Sequence, residues 1–195
     1  AGCRSLRAGD MVDTLDGGPC PVRWVRSRHQ RLEGLEDAHR PVLIQRDALG
    51  AGRPLTDLIV SPQHRILVGG AGQLTRLFGS DVLVPAKALT ALAGVRHMRG
   101  RHCITWVHIA LDQHHIVCAN GLFAETLYLG PMVVRDMSPT DRAAFALNFG
   151  TTLPDGAALN GPPARAFWTV AATRRHLRQA GERTRLGNRM ATHAF

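Results

Sequence analysis

Lysine is almost absent from this chain: Lys87 is the only one. Tyrosine is as rare, with Tyr128 alone, and the three tryptophans, Trp24, Trp106 and Trp168, stand far apart. A basic patch interleaved with aromatics, the pattern that stacks the bases of single strands, is therefore missing. No apolar run is long enough to span a bilayer. Stretches such as Leu83-Val84 before Pro85 and Ile116-Val117-Cys118 are strand-sized. The opening residues, Ala1-Gly2-Cys3-Arg4, carry no apolar h-region, so no signal peptide is read there. The four cysteines, Cys3, Cys20, Cys103 and Cys118, form no CxxC pair and fit no zinc spacing. Cys103 and Cys118 have apolar neighbours and are expected to be buried strand thiols.

What is present is enough for a folded domain. The 195 residues are 45% apolar and 20% charged, which supports a real core in one domain, with room for a small appendage. The net charge of +9 is carried almost wholly by arginine. Arg174, Arg175, Arg178, Arg183, Arg185 and Arg189 crowd the C-terminal part, with Glu182 as the lone acid among them. Such a run reads first as a solvated helix face or tail, and second as a polyanion contact.

Residues 6 to about 136 read as short strands separated by Gly and Pro turns, which argues an all-β domain. Met11 to Leu15 is followed by the turn signal Asp16-Gly17-Gly18, with Val22 to Arg26 as the expected return strand. Leu32 to Arg40 reads as a loop. Further strands are expected at Pro41–Gln45, Leu58–Val60, Arg65–Val68, Val82–Val84, Thr105–Ile109 and Ile116–Cys118. The pattern changes after Met137. Ser138-Pro139-Thr140-Asp141 is an N-terminal helix signal, with a helix expected through Asn148. A Gly/Pro/Asn-rich connector covers 150–163. A second helix is expected from Ala164 to about Ala180, ending at Gly181, with a frayed tail beyond. The organisation expected is thus a β domain over 1–136 and a helical extension with a basic tail over 137–195.

Two segments could carry chemistry. In Val60-Ser61-Pro62-Gln63-His64-Arg65, a hydroxyl and an imidazole stand three residues apart at a strand junction. A histidine there can hand a proton to a leaving amide nitrogen, and the hydroxyl can hold the peptide. The competing reading is structural, because Ser-Pro also starts ordinary turns. The second segment runs from Val107 to Gly121; His108 and His114 could meet across the Asp112-Gln113 turn, but two histidines without a third ligand make a thin metal site. His114 and His115 are adjacent, so on a strand they face opposite sides and do not share a metal ion. A conventional serine hydrolase built on Ser61 is disfavoured: Pro62 removes a backbone N–H that an oxyanion hole could use, and there is no G-x-S-x-G context.

Taken in order, these segments resemble the Hedgehog/intein (Hint) autoprocessing domains, in their bacterial branch. Leu6-Arg7-Ala8-Gly9-Asp10-Met11-Val12 is similar to the L-r-x-G-D-x-V run. Asp16 to Val25 resembles the hairpin that follows it. Ser61-Pro62-Gln63-His64-Arg65-Ile66-Leu67-Val68 resembles the T/S-x-x-H block, Leu83 to Lys87 the stretch after it, and His114 to Gly121 the H-x-x-x-x-A-N-G block. The resemblance spans residues 6 to about 130.

The resemblance implies a horseshoe-like all-β fold of short strands, here with a small C-terminal helical extension, and self-directed chemistry. In that family an N-terminal Cys attacks the carbonyl before it to form a thioester. Ser61 and His64 take the places of the assisting pair. His114, or His115 if the alignment slips by one, takes the place of the later histidine. The substrate implied is the domain's own upstream polypeptide, with no cofactor and no metal. A membrane is not implied, and nucleic acid is not the expected partner. Two departures stand out. The Cys block belongs upstream of Leu6, and Cys3 lies too close to the Leu6–Val12 run to serve. Glu125-Thr126 stands where inteins carry His-Asn, so full splicing is not expected. The chain as written is expected to be inactive until the upstream Cys is supplied. The alternative is a non-catalytic β module that makes protein or polyanion contacts through its Arg-rich tail.

Overall fold

The computed structural model describes residues 6–149 and 158–192, with side chains described as far as Glu182. Cys3, residues 150–157 of the expected connector and the end of the chain from 193 lie outside the described residues. The chain folds as two compact units. The first takes in 1–35, 100–119 and 123–165, and the second 36–99, 120–122 and 166–195.

The first unit starts from a turn built by one hydroxyl. Thr14 closes β1 (Met11–Thr14), and its Oγ1 accepts from the Gly17 N–H at 3.0 Å and donates to the Gly18 carbonyl at 2.8 Å. The chain therefore reverses at once, and β2 is Gly18–Pro21, paired antiparallel with β1. This corrects the expected return strand at Val22–Arg26. Pro19 and Pro21 argue against a strand only where both edges must be paired; at a sheet edge their missing N–H groups cost nothing. Trp24 instead opens β3 (Trp24–Arg31), which pairs with β9 (Cys103–Ala110) over eight residues, from Trp24 opposite Ala110 to Arg31 opposite Cys103. β10 (Ile116–Ala119) pairs with β1 at Thr14 opposite Val117, and β11 (Leu122–Glu125) follows after a tight turn.

Cys103 and Cys118 sit in β9 and β10 as expected, but both are exposed free thiols. Strand side chains alternate between faces, so apolar neighbours one residue away mark the opposite face. Cys20 is a free thiol as well, and is half-buried.

The strands end at Glu125, and α1 (Pro131–Arg135) and α2 (Pro139–Phe149) follow. The N-terminal signal of α2 is realised as read: Ser138 Oγ accepts the Asp141 N–H at 3.2 Å and donates its own proton to Asp141 Oδ2 at 2.5 Å. Arg26 of β3 pairs with Asp141 at 2.5 Å. Trp24 and Phe145 stack with ring centroids 4.6 Å apart, and with Ala110 and Leu129 they form a buried cluster that α1 and α2 cover.

In the second unit β4 (Val42–Ile44) lies between β5 (Leu58–Val60) and β8 (Val95–His97), and all three of its residues are buried. A continuous apolar run is what a strand covered on both faces requires. β6 (Arg65–Val68) and β7 (Val82–Pro85) form an antiparallel pair, joined by a segment that opens with Gly69, Gly70 and Gly72.

The last helix, α3 (Val170–Thr192), starts later than expected and runs past Gly181. Residues before it are extended instead: Ala166 and Trp168 bond to Leu83 of β7, and Phe167 receives the Arg65 guanidinium at 3.9 Å from its ring centre. Thr169 then caps the helix, accepting the Ala172 N–H at 3.1 Å. Gly181 costs about 1 kcal/mol against Ala inside a helix, which good formers on either side offset. No described helix is long and apolar enough to cross a membrane.

Candidate active site

Ser61 and His64 stand in the second unit, on the turn between β5 and β6. The His64 N–H donates to the Ser61 carbonyl at 3.1 Å and lies 3.2 Å from Ser61 Oγ, which also accepts it. The Ala86 N–H donates to the His64 carbonyl at 2.9 Å and the Lys87 N–H to the Pro62 carbonyl at 3.0 Å, which fixes both ends of the turn. One turn therefore carries the hydroxyl and the imidazole together. Because Ser61 Oγ accepts from the backbone, its own O–H is left to donate elsewhere. Both residues are half-buried.

His114 and His115 stand in the first unit, just ahead of β10, and the chain treats them oppositely. The His114 side chain is fully buried, with Nε2 3.3 Å from Glu125 Oε2. Its Nδ1 accepts the Ala164 N–H at 3.0 Å. The Tyr128 ring lies edge-on, 5.0 Å away. The His114 N–H donates to the Asn160 carbonyl at 2.9 Å. Glu125, noted in the sequence only for standing where inteins carry histidine, is thus part of the packing around His114.

His115 is half-buried and closer to solvent. Its N–H donates to Thr126 Oγ1 at 3.1 Å, and its carbonyl accepts from the Thr126 N–H at 2.8 Å. Burial and the neighbouring His114 hold its pKa below 6.5, against the pull of Asp16 and Asp112. The ring is therefore neutral at pH 7 and able to take a proton. Its Nε2 lies 4.0 Å from Cys20 Sγ. Asp16 beside it is held by Arg165 in a two-pronged pair at 2.7 and 2.9 Å, and that hydrogen bond lowers the Asp16 carboxyl below its usual range.

Three contributors escaped the sequence reading. Asn160 is buried, within a connector that gave no periodic signal. Arg165 meets Asp16 across 149 positions. Cys20 comes to His115 across 95. Only the hairpin turn at Gly17, which sets Cys20 close to Thr14, offered a local hint. Among the described residues no three His, Cys, Asp or Glu side chains converge on a point that could hold a metal ion.

The fold so described is mostly antiparallel strands with a small helical C-terminal part. The family model described as Hint domain matches residues 2–131, more than half of the chain. The chain belongs to the Hint domain family, and with it to the Hedgehog/intein type of autoprocessing domain. No curated protein and no solved structure matches it.

Proposed function

We propose that this Hint domain carries out an N–S acyl shift and self-cleaves at its N-terminal junction. The nucleophile is a Cys supplied by the segment ahead of Leu6, and the substrate is the protein's own upstream polypeptide. That thiol attacks the carbonyl before it, the peptide bond to the Cys nitrogen breaks, and a thioester takes its place. His64 delivers a proton to the departing amide nitrogen, while the Ser61 O–H holds the peptide. The observation that carries this reading is the single turn in which His64 N–H is bonded to Ser61, because it delivers both groups from one rigid support. Thiols or hydroxylamine then release the thioester, with His115 as the proton carrier and His114 as the buried neighbour that positions it. Glu125-Thr126 supplies no Asn to cyclise, so the reaction stops at cleavage or acyl transfer. The unit of function is 1–136, and 137–195 is its helical extension.

The test extends the protein with its native upstream segment and adds thiol. Two fragments are expected, slowed by Ser61→Ala and more strongly by His64→Ala, whereas the 195-residue chain alone keeps a single mass. An extended protein that stays intact, with His64→Ala no different, overturns the proposal.

A further inference from the structure

The first unit holds a thiol and an imidazole that the proposed cleavage does not bring together. Cys20 Sγ lies 4.0 Å from His115 Nε2, 3.8 Å from Thr14 Oγ1 and 3.9 Å from the Gly17 carbonyl. The approach depends on Gly17. A Cβ there would stand 3.1 Å from Thr14 Oγ1, 3.2 Å from His115 Cε1 and 3.5 Å from Cys20 Sγ, so thiol and ring share the space that the missing side chain leaves. His115 is anchored on the other side by its two backbone bonds with Thr126. Around the pair stand Asp16 with its partner Arg165, Asp112, and the buried His114. Cys20 is half-buried, while Cys103 and Cys118 are exposed.

We infer that Cys20 and His115 form a thiol–imidazole pair that makes Cys20 a site of S-thiolation by small disulfides. Cys20 Sγ attacks one sulfur of the disulfide, and its S–H proton passes to His115 Nε2. The disulfide's S–S bond breaks as the new one forms, and the departing thiolate takes up a proton from His115 or from solvent. One disulfide is thereby exchanged for a mixed disulfide and one thiol, with no other oxidant needed. A neutral imidazole suits the task, since it accepts the proton as the sulfur attacks. Contacts near 4 Å in a resting site tighten as the proton moves. The modification is independent of whether the upstream junction is cut.

The 195-residue protein itself provides the test, with bis(2-hydroxyethyl) disulfide as an uncharged probe at pH 7. Peptide mass mapping over time gives a separate rate for each cysteine. Cys20 is expected to react about tenfold or more faster than Cys103 and Cys118, although it is the least exposed of the three. His115→Gln is expected to bring Cys20 down to their level and to leave their own rates unchanged, which also shows that the fold survives. Rates that follow exposure alone in the unaltered protein, with Cys20 slowest, overturn the inference without any variant. So does a Cys20 rate that His115→Gln does not change.

Discussion

The Ala164 N–H donates to His114 Nδ1 at 3.0 Å, and this one bond separates the roles of two adjacent histidines. With Nδ1 occupied and Nε2 turned to Glu125, His114 is part of the core. His115, one residue on, keeps a ring that solvent and Cys20 can reach. His114→Ala takes the acceptor from the half-buried Ala164 N–H and opens a cavity. Urea unfolding is expected to show a loss of about 3 kcal/mol. His115→Ala is expected to cost about 1 kcal/mol or less, as half-exposed positions do. Equal losses would mean that the two rings are not distinguished in this way.

The lowered pKa of His115 makes a prediction about acid. Its folded value lies below the ordinary 6.5 because burial and His114 disfavour the charged ring. Below pH 6.5 the unfolded chain therefore binds the proton more readily than the folded one. The stability this group contributes is whole above that pH and is lost as pH falls through the folded value. Urea midpoints measured from pH 7.5 to 5 should drop less steeply in His115→Gln than in the unaltered protein. Parallel slopes would show that His115 titrates alike in both states.

Asn160 joins three points of the first unit from within the connector. Its Oδ1 accepts the Leu129 N–H at 2.9 Å, its Nδ2 donates to the Leu127 carbonyl at 2.8 Å, and its own carbonyl accepts the His114 N–H. It is fully buried. Asn160→Ala leaves two backbone groups without these partners and is expected to cost about 2–4 kcal/mol. Hydrogen exchange at the Leu129 amide should rise with it. An unchanged melting curve would show that the connection is dispensable.

Much of this was legible in the sequence, and the reasons are local. Ser138 and Asp141 sit three apart, so their mutual cap could be read without any tertiary information. Leu58–Val60 and Arg65–Val68 are strands at the positions read, because apolar runs between turn signals need no distant partner to be recognised. The misreadings have equally physical causes. Thr14 closes its turn with its own hydroxyl, which draws Gly18–Pro21 back as the return strand despite two prolines. Phe167 is drawn into an extended segment by Leu83 and Arg65, so the helix waits for Thr169. The site divides in the same way. Ser61 and His64 share one local turn that the spacing of the motif already implies, whereas Cys20 against His115, and Asn160 against Leu127 and Leu129, are pairings that only the folded chain creates.

The Ala119-Asn120-Gly121 string matches a block of the family, and its backbone gives it a physical meaning. Asn120 has φ of 56° and Gly121 φ of 76°, the left-handed pair that a two-residue hairpin needs. A Cβ on Gly121 would also stand 2.4 Å from the Gly52 carbonyl oxygen. Gly121→Ala combines backbone strain with a backbone clash and is expected to destabilise by about 2 kcal/mol or more. Asn120→Gly suits the same φ and loses only the exposed hydrogen bonds of its side chain to Thr56, so it should cost less. Thermal melts of the two variants side by side check the contrast.

The central claim, self-cleavage through an acyl shift assisted from the Ser61–His64 turn, is tested most directly by the mass of the released upstream piece. The protein carrying its native upstream segment is treated with hydroxylamine and its products are weighed. The account predicts an upstream fragment ending in a hydroxamate at the residue before the Cys, formed about a hundredfold more slowly in His64→Ala, the size expected for loss of a proton donor. An upstream piece ending in a plain carboxylate, or a protein that keeps its full mass, would contradict it.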